Sequence, residues 1–207
     1  MCGRFALNAS AAKVIEHFSL TRNIVLTPRY NIAPNQVVPV IRIAGQLEFL
    51  TWGLKPSWLK AEQTGFINAR METLTGKPAF RQAFKKQRCL VVADGYYEWK
   101  QIGKIKQPYF ICLPQRELFA FAGLWDQDTC AIITKPSVQT ALNTVHERMP
   151  IILAKDSYAA WLEPKTAVQE LQACMQHSAL TTLQLFPVTT KMNNPKFDFV
   201  ECIQPLQ

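Results

Sequence analysis

The chain has no run approaching the roughly 20 apolar residues that a membrane-spanning helix needs, and its first residues lack the basic-then-apolar layout of a secretory signal. A cytoplasmic protein without a membrane partner is expected. The six cysteines, Cys2, Cys89, Cys112, Cys130, Cys174 and Cys202, form no CxxC pair. Neither a zinc site nor a disulfide framework is therefore indicated, and five of the six read as buried thiols. Also missing are a GxSxG elbow, an HExxH helix, a Walker loop and the dinucleotide-binding glycine pattern, so serine, zinc and phosphate-loop chemistries have no support. No metal or cofactor is expected. Without repeats, low-complexity tracts or linkers, residues 1–207 read as a single domain.

Charge is present but unevenly placed. Residues 1–110 hold 16 Lys and Arg against 6 Asp and Glu, and residues 111–207 hold 7 against 9, so the halves carry +10 and −2. A basic half of this kind suits a polyanion, most commonly nucleic acid, or is a solvated lysine-rich face.

Periodicity predicts helices over Ala11 to Phe18, Pro78 to Arg88, Asp156 to Leu162 and Thr166 to His177. Strands are expected at Val37 to Ile43 and Leu47 to Trp52, as a hairpin with Pro39 favouring a sheet edge, then at Leu90 to Ala93, Tyr96 to Lys100, Pro108 to Leu113, Phe119 to Trp125 and Cys130 to Thr134. Pro150 to Leu153, Leu183 to Val188 and Phe199 to Ile203 complete the set, while Pro28 to Pro34 reads as a loop. The sum is an α+β fold, strand-rich, with a curled mixed or antiparallel sheet or open barrel and peripheral helices.

The candidate chemistry starts at Cys2. Aminopeptidases remove Met1 when a small residue follows, which would leave an amine and a thiol on one residue. Such an aminothiol condenses with an aldehyde through nitrogen and closes a thiazolidine ring through sulfur. Its α-amine, with a pKa near 8, is a better neutral-pH nucleophile than a lysine. The plainer reading of Cys2 is a small residue beside a start codon. Asn68 and Arg70 would share one side of an extended segment, as an amide and a phosphate ligand or as a turn residue and a surface arginine. Glu98, among Tyr96, Tyr97 and Trp99, is a proton shuttle if buried and an edge-strand glutamate if not. His146 precedes an apolar strand, as an acid/base or as a structural hydrogen-bonder. On the helix from Pro78, Lys77, Arg81, Lys85 and Arg88 fall on one arc, which either meets phosphates or faces water. Trp58 is the tryptophan best placed to stack on a base.

Met1-Cys2-Gly3-Arg4-Phe5, Arg29-Tyr30-Asn31-Ile32-Ala33-Pro34, Trp52-Gly53-Leu54-Lys55-Pro56-Ser57-Trp58, Asn68-Ala69-Arg70-Met71-Glu72-Thr73, Asp94-Gly95-Tyr96-Tyr97-Glu98-Trp99 and His146-Glu147-Arg148-Met149-Pro150 occur in this order. Together they resemble the SOS response-associated peptidase (SRAP) family, the abasic-site processing proteins. The resemblance implies that Cys2 captures the aldehyde of an abasic site in single-stranded DNA as a thiazolidine crosslink that shields the lesion. It implies that Asn68 orients the Cys2 amine and the sugar, that Glu98 shuttles the proton of imine formation, and that His146 assists ring opening and reversal. Arg4, Arg70 and Arg148 are similar to the family's backbone contacts and Trp58 to its stacking residue, and Lys77 and Arg81 join them as expected DNA contacts. A monomer at the nucleoid is expected. The alternatives are an N-terminal-nucleophile peptidase that processes its own leader, and a non-enzymatic binder of single-stranded nucleic acid.

Overall fold

The computed structural model describes residues 2–60, 62–138, 140–177 and 183–206. The strands are β1 (Arg4–Leu7), β2 (Arg29–Ile32), β3 (Val37–Ile43), β4 (Gln46–Trp52), β5 (Asn68–Arg70), β6 (Arg88–Ala93), β7 (Gly95–Ile102), β8 (Ile105–Cys112), β9 (Phe119–Asp126), β10 (Thr129–Pro136), β11 (Arg148–Pro150), β12 (Ile152–Leu153) and β13 (Gln184–Pro187). The helices are α1 (Ala11–Phe18), α2 (Pro78–Lys86), α3 (Tyr158–Leu162) and α4 (Val168–Gln176).

One sheet is antiparallel in the order β13-β8-β7-β1-β2. In the other, β4-β3-β6-β9 is closed into a ring by β10, which pairs antiparallel with β9 and parallel with β4. The expected mixed sheet is thus a closed barrel. Strand β10 outruns both neighbours, and its free length takes β5 on the β4 edge and β11 on the β9 edge. Those two additions carry the chain past Asn68 and His146.

The two sheets meet through β1. Phe5, fully buried, packs edge-on against Trp52 at 5.1 Å and Phe121 at 5.8 Å, seating β1 on the barrel. Burying that one ring contributes up to about 3 kcal/mol. The C-terminal end of β1 is clamped by Asp94, whose Oδ2 accepts hydrogen bonds from the Asn8 and Ala9 amides at 2.7 and 2.9 Å. Next to it, Gly95 leaves room for a neighbour: a Cβ there would lie 2.0 Å from the Phe110 ring, so β7 and β8 can only pair this closely with glycine at that position.

Five expectations are corrected. Pro39 lies on an interior strand rather than an edge; β6 joins β3 only at Val40 and Ile41, so the missing Pro39 N–H falls just before that pairing begins. The stretch from Pro28 contains strand β2, held by backbone pairing to β1. Phe199 to Ile203 is a 3-10 turn over Val200–Ile203 instead of a strand. Arg88 does not extend the basic arc, because α2 ends at Lys86 and Arg88 begins β6. All six cysteines are buried, one more than expected.

Arg88 is 3% exposed and donates to the carbonyls of Phe84, Lys85, Trp161 and Glu163, at 2.5–2.8 Å. These are orphan acceptors at the C-terminal ends of α2 and α3, where a cation also meets the favourable end of the helix dipole. Arg88→Met is expected to cost about 2–3 kcal/mol, read as a lower denaturation midpoint at unchanged slope.

Candidate active site

Cys2 lies two residues before the start of β1 and is fully buried. Arg4 pairs with Tyr97, Phe5 with Tyr96 and Ala6 with Gly95, so the start of the chain runs toward the part of β7 just past Tyr97. Glu98 stands there, 2% exposed. Burial pushes its carboxyl up to about 7, against a pull downward from the positive chain terminus. Cys2 responds in kind. Burial first, then the Glu98 charge, raises its thiol well above the ordinary value.

Asn68 reaches the same place from β5. Its Nδ2 donates to the Cys2 carbonyl at 2.7 Å, and its Oδ1 is buried with no hydrogen-bond partner among the described residues. The segment is fixed from both sides. Trp52 Nε1 donates to the Ile67 carbonyl at 2.8 Å, and Ile132 pairs with Asn68 along β10.

His146 closes the loop that leaves β10 and returns as β11. Ser137 Oγ donates to its carbonyl at 2.5 Å, and its own amide donates to the Leu142 carbonyl at 2.9 Å. The Arg148 amide donates to His146 Nδ1 at 3.0 Å, which puts the proton of the neutral ring on Nε2. Burial, then the charge of the chain terminus, lowers the imidazole pKa, so the ring is neutral at pH 7.

The expected DNA contacts divide into two groups. Arg4 donates to Asn31 Oδ1 and to the Met192 and Asn193 carbonyls at 2.6–3.1 Å, bracing β1 against the C-terminal segment. Arg148 forms a two-pronged ion pair with Glu72 at 2.8 and 3.1 Å and donates to the Thr134 carbonyl. By contrast Arg70, Lys77 and Arg81 are exposed, and Trp58 is 60% exposed. Trp58, Phe66, Asn68, Arg70, Lys77 and Phe80 line a groove of about 270 Å³ that opens beside Asn68. A cavity of about 580 Å³ lies elsewhere, against Lys13, His17, Asp94 and Arg116, and shares no residue with this site.

Over residues 1–195 the sequence matches the family described as SOS response associated peptidase (SRAP). The chain belongs to the SRAP family. One SRAP relative, the abasic site processing protein YoqW of Bacillus subtilis (strain 168), is 38% identical over 224 residues covering 99% of each chain. Another, the abasic site processing protein HMCES of Gallus gallus, is 27% identical over 100% of this chain and 78% of its own. A crystal structure of a Bacteroides thetaiotaomicron protein superposes with a TM-score of 0.84 at 25% identity, covering 100% of both chains.

Within this SRAP chain the structure adds residues that the sequence reading left without a role. Asn31 donates from Nδ2 to the carbonyls of Met192, Asn194 and Phe197, and so holds the segment against which Arg4 leans. Glu72 is the partner that fixes Arg148, 76 residues away in sequence. No spacing rule connects either pair. Among the described residues no helix is long and apolar enough to cross a membrane.

Proposed function

We propose that this protein captures abasic sites in single-stranded DNA as a covalent thiazolidine on Cys2, exposed by removal of Met1. The observation that carries this reading is the Asn68 amide, which grips the carbonyl of Cys2, whose thiol feels the Glu98 charge, while its own Oδ1 is buried without a partner among the described residues. Oδ1 is suited to accept from the liberated α-amine and so aim its lone pair at an aldehyde. The amine adds to C1′ of the ring-opened sugar. Protonated Glu98 then gives its proton to the departing hydroxyl, leaving an iminium, a water and a carboxylate. Neutral His146, with its proton on Nε2, can donate a hydrogen bond to the ring oxygen as the sugar opens and again as the linkage reverses.

Strand placement follows from the groove. Exposed Trp58 offers a base-stacking face, and Arg70 and Lys77 offer cations along the same wall. Arg4 and Arg148 act as supports, since their guanidiniums are bonded within the protein. Trp58→Ala is expected to weaken noncovalent binding by about 5- to 100-fold with the covalent step intact. Arg70→Ala should lower the salt slope of log Kobs by about one.

The deciding measurement is intact mass. Processed protein mixed with an abasic oligonucleotide should gain the mass of the oligonucleotide less one water, in an adduct that survives denaturant. Absence of that species sinks the proposal. A Cys2-dependent cut in a peptide substrate, without the adduct, would favour the peptidase reading instead.

A further inference from the structure

Tyr96 stands two residues before Glu98 on β7, so strand alternation sends both side chains to one face. Tyr97, between them, faces the other way and donates its hydroxyl to the Tyr30 carbonyl. Tyr96 pairs across to Phe5, and its ring meets Phe121 edge-on at 5.9 Å, in the same packed cluster as Cys2. Tyr97 belongs to the separate cluster behind the sheet. Tyr96 is completely buried, yet its hydroxyl has no hydrogen-bond partner among the described residues. That is a costly arrangement, because a phenylalanine would fill the same space without an unmet hydroxyl. The charges that reach the phenol are those of Cys2 and Glu98.

We propose that the Tyr96 hydroxyl is a positioning donor for the Cys2 sulfur, matched only when that sulfur becomes a thiolate during ring closure. The inference rests on the capture reading given above. In that step the Glu98 carboxylate takes the thiol proton, the freed sulfur pair forms the S–C1′ bond, and the C=N π pair returns to nitrogen. Glu98 ends protonated and the iminium charge is discharged. Midway, negative charge builds on a fully buried sulfur in the core cluster, beside a Glu98 that has just taken the proton, with the iminium nitrogen as the nearby positive group. A hydrogen bond from Tyr96 offsets that environment. Burial keeps the phenol protonated, so it can donate across the working pH range.

Tyr96→Phe removes the donor and keeps the ring. Three readouts on processed full-length protein decide the matter: the rate of adduct formation against pH, noncovalent affinity for the same oligonucleotide, and melting temperature. We expect crosslinking at pH 7 to slow by about tenfold and its rising limb to move about one unit toward higher pH, the effect of losing one hydrogen bond to a charged acceptor. Affinity should be unchanged. The melting temperature should rise by a few degrees, because an unmet buried hydroxyl is gone. Crosslinking at the parent's rate with the parent's pH profile overturns the inference. So does a slower variant that has also lost affinity or thermal stability, since that is packing damage. No adduct from the parent protein overturns the capture reading itself, and this inference with it.

Discussion

Cys2→Ala protein mixed with abasic single-stranded DNA is expected to give no adduct that survives denaturation, while borohydride still traps one. Alanine is small enough for Met1 to be removed, so the variant keeps the α-amine and loses only the sulfur. The amine can still add to the aldehyde under the guidance of Asn68, which holds the backbone carbonyl of residue 2 rather than its side chain. What disappears is ring closure. An imine left open hydrolyses, and durable product should fall by at least about 100-fold, the scale on which a tethered second nucleophile outcompetes free water. Reduction with borohydride converts the transient imine to a stable amine and should recover most of the lost adduct. A Cys2→Ala protein that forms durable adduct without reductant would remove the sulfur from the chemistry. One that forms none even with reductant would remove the amine.

How much of this was legible in the sequence depends on whether an element is governed by local or distant contacts. Helix α1 spans the residues expected, because its boundaries are set locally: Ser10 caps the start by accepting from the Lys13 amide, and Ser19 ends it in a left-handed conformation at φ 51°. Arg88 went astray for the opposite reason. Its helical period continued the basic arc, but β9 pairs with Arg88 through Ala93, and the guanidinium found four carbonyls on two helices. Phe199 likewise looked like a closing strand, yet Asp198 beside it accepts from Arg29 and from the Tyr30 and Asn31 amides, tying the segment to β2 without continuing it as a strand. In the site, Glu98 and Asn68 could be chosen by residue type and motif. Their shared neighbour Cys2 could not be inferred from spacing, since β10 and β7 bring them together from different sheets. Tyr96 belongs to the core, and only the unmet hydroxyl in the folded chain separates it from its aromatic neighbours.

Glu98→Gln should produce the other large effect, and with opposite signs in activity and stability. Glutamine has nearly the same shape but no proton to give, so the hydroxyl must leave the carbinolamine unassisted and the Cys2 thiol must lose its proton to water. Adduct formation should slow by about 10²- to 10⁴-fold, with noncovalent DNA affinity retained. The parent's rate should peak near the Glu98 pKa of about 7, where the acid needed for dehydration and the base needed for closure are both populated. Stability moves the other way. From an ordinary value of 4.5 the folded carboxyl is raised to about 7, so between those limits the unfolded chain releases a proton that the folded chain keeps. The parent therefore loses stability as pH rises through this window, by roughly 3 kcal/mol once both states are ionised. Glutamine is neutral throughout and escapes that loss. Thermal melts should place Glu98→Gln above the parent at pH 8, with the gap closing at pH 4, where the parent's carboxyl is protonated in the fold. An equal gap at both pH values would mean that Glu98 ionises like a surface carboxylate, and the burial-driven proton shuttle would have to be abandoned.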